Sequence, residues 1–144
     1  MKTNNHQKGL TLIELLVTLA IFALILALGV PGFNAFFKRA EIDVAVRTVT
    51  SALQTARHQA IERNKRVKVT LEDNKLVLKE THYDLWQPFM EFDPGDKANL
   101  SLNASPVFSP EGYIAPLCSV FVDSETFHYQ VTISMAGRIK VQKR

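Results

Sequence analysis

The sequence predicts an α+β fold of lollipop form, a long N-terminal helix whose second half carries an antiparallel sheet, and three observations predict it. Leu15 to Phe37 is a run of 23 residues without a formal charge. Beyond it, Ile42, Val46, Val49, Leu53, Ala56 and Ala60 recur at spacings of 4, 3, 4, 3 and 4, which marks one apolar stripe of a helix. After Asn64 the period changes to two, as Val67, Val69 and Leu71 alternate with Lys68 and Thr70.

At 1.5 Å rise per residue the uncharged run reaches about 34 Å as a helix, enough to cross a bilayer. Glu14, at its start, is the one charge between Lys8 and Lys38. A conventional secretory signal also follows basic residues such as Lys2 and Lys8, but its apolar region is short and ends at a cut after small residues. Here the apolar run continues through Val30, Phe33, Phe36 and Phe37. A cut before the run, after Gly9, leaves a polar leader of residues 1–9 and an intact anchor. Pro31, with Gly29 and Gly32 beside it, is expected to bend or locally melt the helix. Arg39, Glu41, Asp43, Arg47 and Arg57 fall off the apolar stripe.

In the second part, Glu72-Asp73-Asn74 supplies a turn and Leu76-Val77-Leu78 returns, which reads as a hairpin. Further strands are expected at Asn99 to Asn103, Leu117 to Val122, His128 to Met135 and Ile139 to Gln142. Turn-rich stretches such as Asp93-Pro94-Gly95-Asp96 and Ser109-Pro110-Glu111-Gly112 separate them. Tyr129, Val131, Ile133 and Met135 are expected to share one sheet face. The expected organisation is a leader at 1–9, a transmembrane half-helix at 10–37, an amphipathic half at 38–66 and a β-rich head at 67–144.

With 144 residues, 47% of them hydrophobic, the chain holds one modest domain and one membrane segment. Cys118 is the single cysteine, so an internal disulfide is excluded, and it reads as a small buried hydrophobe beside Val120 and Val122. The net charge of +3 conceals segregation: residues 1–9, 10–37, 38–66, 67–136 and 137–144 carry +2, −1, +4, −6 and +4. An acidic body flanked by basic elements points to an anionic partner or surface.

Catalytic patterns are missing from the sequence: there is no nucleophile elbow, no phosphate-cradling glycine loop and no pair of histidines at metal-ligand spacing. His6, His58, His82 and His128 are scattered. Glu91, Asp93 and Asp96 lack the alternating register of a calcium loop. No enzymatic activity, cofactor or metal is expected. Gly137-Arg138-Ile139-Lys140-Val141-Gln142-Lys143-Arg144 has no acid. As a strand it turns Ile139 and Val141 to the core and Arg138, Lys140 and Gln142 away, with Lys143 and Arg144 continuing the charge. Such groups bind DNA phosphates without reading sequence, and Arg63, Lys65 and Arg66 extend the patch if the fold brings them near. The plain alternative is a solvated edge strand guarded by basic residues.

Gly9-Leu10-Thr11-Leu12-Ile13-Glu14-Leu15-Leu16 resembles the prepilin motif of type IV pilins and type II secretion pseudopilins, whose glycine precedes the cut and whose fifth mature residue is glutamate. Leu10 stands where the first mature residue is usually phenylalanine. Pro31 sits where pilin stem helices commonly have a proline, and Ser51 to Asn64 is similar to the helix end of the GspH/FimT branch. The resemblance implies cleavage by prepilin peptidase between Gly9 and Leu10, N-methylation of Leu10, and pairing of Glu14 with a neighbouring subunit's amine in a filament. It implies a single-pass protein of the bacterial inner membrane with a periplasmic head, partnered by other pilins or pseudopilins. FimT-like minor pilins of competent bacteria bind DNA through a Gly-Arg-x-Arg motif, to which Gly137-Arg138-Ile139-Lys140 is similar. The expected function is a minor pilin binding DNA through Arg138, Lys140, Lys143 and Arg144 for natural transformation. The alternative is a structural pseudopilin of a type II secretion system.

Overall fold

The computed structural model describes residues 11–83 and 85–144, without the side chains of 28–35. Gly9 and Leu10 lie outside the described residues. Among the described residues one helix, α1 (Leu12–Glu62), is followed by nine strands: β1 (Val67–Glu72), β2 (Lys75–His82), β3 (Leu85–Phe92), β4 (Asn99–Leu102), β5 (Val107–Phe108), β6 (Ile114–Ala115), β7 (Cys118–Asp123), β8 (His128–Ile133) and β9 (Ile139–Lys143). The chain divides between Phe37 and Lys38 into two compact units.

The helix is continuous through Pro31, so the proline does not melt it. At its far end Asn64 turns left-handed, with φ 51°, and Lys65 N donates to Ala60 O at 3.2 Å, which closes the last turn's carbonyls. In the first unit the aliphatic side chains from Leu12 to Leu26 are 52 to 79% exposed. A surface that apolar on every side demands an apolar surrounding. Among the described residues no helix is long and apolar enough to cross a membrane, and the run that the sequence marks continues into residues 28–35.

In the second unit the predicted stripe is the core. Ile42, Val46, Val49, Leu53, Ala56 and Ala60 are all buried, joined by Ala45 and Ala52. They pack with Val67, Val69, Leu76, Leu78 and Phe108 of a five-stranded sheet and with Val120, Val122, Val131 and Ile133 of a four-stranded one. The sheet orders are β3-β2-β1-β5-β6 and β4-β7-β8-β9, and every pairing is antiparallel. The β1–β2 hairpin turns on Asp73 and Asn74, whose φ values of 47° and 62° suit a two-residue hairpin loop. Asn74 also ties the hairpin to β4, donating to Ala98 O and accepting from Leu100 N at 2.7 Å each.

Three expectations are corrected. β3, β5 and β6 were not anticipated: β5 and β6 are two residues each, too short for an alternation to show, and in β3 Pro88 breaks the pattern, a register shift at Leu78/Lys79 accommodating it on the open edge, where a proline costs no ladder bond. Met135 lies beyond β8 and is 65% exposed, because the chain turns at Ser134. Val141 has the core-facing parity but is 43% exposed, since β9 is the edge strand of its sheet.

Candidate functional site

Glu14 stands in the first turn of α1 and is exposed. Its Oε2 accepts from Thr11 N at 3.2 Å and from Thr11 Oγ1 at 3.3 Å, while Glu14 N donates to Thr11 Oγ1 at 3.3 Å. This is a reciprocal capping box, in which Thr11 and Glu14 satisfy the orphan donors of the helix start. Thr11-x-x-Glu14 was visible in the sequence and marks where the helix begins.

The basic residues around β9 divide between two faces. Cys118, Val120 and Val122 of β7 point to the core, so Ser119, Phe121 and Asp123 point outward, followed across the sheet by Gln130 and Thr132 of β8 and by Lys140 and Gln142 of β9. Lys140 and Arg144 share that outward face, with the Arg144 guanidinium 5.2 Å from the Phe121 ring. Lys143 has the opposite parity and reaches over Phe127 at 5.2 Å. Arg138 is exposed in the β8–β9 turn, its N–H donating to Ser134 Oγ at 3.1 Å. Around them the face is hydroxyl and amide: Gln130 Nε2 donates to Ser119 Oγ at 3.1 Å, and Ser119 Oγ lies 3.3 Å from Thr132 Oγ1. Asp123, the acid on this face, is held by His128 Nδ1 at 2.8 Å.

Arg63 and Lys65 sit elsewhere, over β2 of the other sheet. Arg63 Nη1 and Lys65 Nζ lie 2.7 and 3.3 Å from the carboxylate of Glu80, and the Arg63 guanidinium stacks 4.8 Å from the Phe89 ring. The Arg63 hydrogen bond, supported by Lys65, holds the Glu80 carboxyl below its ordinary range against partial burial. Arg66 is exposed and contributes to holding Glu111 low, behind the hydrogen bonds from Ser109 and from its own backbone. The structure thus brings Lys140 and Arg144 together and commits Arg63 and Lys65 to a carboxylate.

A residue the sequence reading set aside is central to the head. Arg57 leaves the stripe sideways and runs between two glycine turns, at Gly112 and Gly137, with Nη1 donating to Gly137 O at 3.4 Å. The signal was the pair of glycines, each at a turn with φ of 82° or 74°.

A long N-terminal helix with an apolar first part, packed through its second part on antiparallel sheets, is the architecture of type IV pilin-like proteins. The family described as Type II transport protein GspH matches residues 45–137, and the prokaryotic N-terminal methylation motif matches residues 4–30. The chain belongs to the GspH family. A fimbrial protein of Pseudomonas aeruginosa is 35% identical over 79 residues, 55% of this chain and 47% of that protein, so the match spans about half the relative's length. The fold is similar to that of the type IV minor pilin FimU of Pseudomonas aeruginosa, with TM-score 0.62, 18% identity, and 74% and 92% of the two chains covered. It is similar also to the minor pseudopilin EpsH from the Type 2 Secretion System of Vibrio cholerae, with TM-score 0.59, 12% identity, and 72% and 97% covered. The chain is therefore a type IV pilin-like protein of the GspH family that carries the prokaryotic N-terminal methylation motif.

Proposed function

We propose that the chain is a minor pilin of a type IV pilus, cut between Gly9 and Leu10, methylated on Leu10, and held in the inner membrane by a single span of residues 10–37 with residues 67–144 as a periplasmic head. Its β9 face binds DNA without sequence preference for natural transformation. The observation that carries this is the acid-free edge strand, with Lys140 and Arg144 on one open face and Arg138 at the turn leading into it. Point charges and guanidinium forks on a polar, hydroxyl-rich sheet match a phosphate backbone. Lys143 contributes from the strand's other side. Arg63 and Lys65 contribute little while Glu80 holds them.

Full-length protein in detergent, titrated against fluorescent duplex DNA, tests the reading. Each phosphate contact lowers the slope of log affinity against log salt by about 0.9. Removing Arg138, Lys140 and Arg144 together as glutamines is expected to flatten the dependence by roughly three such contacts. Equal binding by both proteins, or binding indifferent to salt, would overturn it.

The match to the GspH family and the EpsH-like fold favour a second reading, a structural pseudopilin of a type II secretion system. A deletion strain separates the two. Loss of transformation with normal protein secretion supports the pilin reading, and the reverse supports the pseudopilin.

A further inference from the structure

The Arg57 side chain is half-buried, and two backbone turns have been cut back to admit it. A Cβ at Gly137 would stand 2.7 Å from Arg57 Nε and 2.8 Å from Cζ, and one at Gly112 would stand 3.3 Å from Nε and 3.4 Å from Nη2. A guanidinium has five N–H donors in a planar fork. Here it makes one long bond, 3.4 Å from Nη1 to Gly137 O, and its Nε is buried without a partner. Among the described residues no carboxylate pairs with it. A shielded charged group lacking acceptors is costly, and a negative charge brought against the guanidinium offsets that cost.

Space for one lies alongside. A cavity of about 380 Å³ is lined by Arg57, Gln54, His58, Ile61, Gly137 and Ile139. It opens on the helix side of β9, because Ile139 has core-facing parity, whereas Lys140 faces the other way. Of its lining Ile61 is 49% exposed, and outside the lining Tyr113 and Met135 are 63 and 65% exposed. Ile61 Cδ1 lies 3.2 Å from the Cβ position of Gly112, the residue before Tyr113, and Ile114 N, the residue after it, donates to Met135 O at 3.1 Å. Tyrosine, methionine and arginine are the residue types that concentrate in the cores of protein interfaces. Of the acids nearby, Glu62 lies 3.6 Å from His58 and accepts from Gln59 Nε2 at 3.1 Å. The charges left over, on Arg57 and Arg138, are positive.

We propose that this end of the head is a docking site for an acidic side chain of a partner protein, whose carboxylate enters the cavity onto Arg57 while a neighbouring apolar residue covers Ile61, Tyr113 and Met135. The carboxylate pairs with the guanidinium through charge-assisted hydrogen bonds. The exposed apolar residues Ile61, Tyr113 and Met135 select a protein over a phosphodiester, which offers no apolar side chain to cover them. The site is independent of DNA binding on the outward face of β9.

The backbone amide resonances of Gly112 and Gly137 in full-length protein in detergent micelles report its occupancy. The probes are acetyl-Leu-Glu-Leu-amide, the same peptide with glutamine, and inorganic phosphate. Both resonances are expected to shift saturably with the glutamate peptide and to respond about tenfold more weakly to the glutamine one, the worth of a charge-assisted pair. Arg57→Gln is expected to abolish that preference. Tyr113→Ser, an exposed position, is expected to weaken the glutamate peptide with an unchanged melting midpoint. Equal response to the two peptides, or a stronger response to phosphate than to the glutamate peptide, would overturn the proposal.

Discussion

Arg63 Nη1 donates to Glu80 Oε2 at 2.7 Å, and this pair, joined by Lys65, fastens the end of α1 to the middle of β2. The carboxylate is largely shielded, with 16% of its side chain exposed, so the contact is less screened than an open surface pair.

That pair has a pH signature. The Arg63 hydrogen bond chiefly holds the Glu80 carboxyl below its ordinary 4.5, so the folded value lies below the unfolded one. The stabilisation is whole above the unfolded value and is lost as pH falls through the lower folded value. The urea midpoint is expected to fall on acidification below pH 4.5, and to fall less in Glu80→Gln. Parallel falls in both proteins would exclude the pair as a contributor.

Gly137 and Gly95 offer a matched test of close approach. Both have positive φ, 74° and 91°, but a Cβ at Gly137 meets Arg57 at 2.7 Å while one at Gly95 meets nothing within 4 Å. Gly95→Ala is expected to cost roughly 1 kcal/mol of backbone strain, and Gly137→Ala about 2 to 3 kcal/mol, since Arg57 must also move. Chemical denaturation measures both, and equal costs would show that the arginine yields freely.

Asn74→Ala removes two hydrogen bonds to the Ala98–Leu100 segment and places an alanine at φ 62°. The expected loss is about 2 to 3 kcal/mol. Asn74→Gly retains the turn conformation and is expected to lose less. If the two variants melt together, the side-chain bonds rather than the turn set the whole cost.

The Cys118 thiol donates to Ala104 O at 3.1 Å, and burial pushes its pKa up to about 11. Little thiolate exists near neutral pH, so alkylation of the folded protein at pH 8 is expected to run roughly a hundredfold slower than in denaturant. Comparable rates would mean that the β7 end opens readily.

Glu14 has one observed role, the capping box with Thr11, and one proposed role in assembly. Glutamine retains the capping box with Thr11 and loses the charge. If the carboxylate pairs with a neighbouring amine in a filament, Glu14→Gln is expected to leave membrane insertion and cleavage intact and to reduce co-purification with other pilins. Incorporation equal to wild type would leave Glu14 as a helix cap alone.

The stem's stripe and the strands β1, β2, β4, β7, β8 and β9 were legible because each rests on local periodicity or on a short turn. β3 was not, since Pro88 and its bulge conceal the alternation and only pairing to β2 makes it a strand. Met135 and Val141 followed the pattern of alternation but not its burial, because parity is written in the sequence while cover depends on what lies beyond the strand.

By itself the sequence determined the helix with its two characters, the prepilin motif around Gly9 and Glu14, and the concentration of basic residues after Met135, all carried by neighbours in the chain. Tertiary structure alone decided which charges act together. It placed Lys140 and Arg144 on one face, turned Lys143 to the other and spent Arg63 and Lys65 on Glu80. It also wrapped Arg57 in two glycine turns more than fifty residues away in the chain, because the meeting of side chains from distant elements depends on packing that no local pattern encodes.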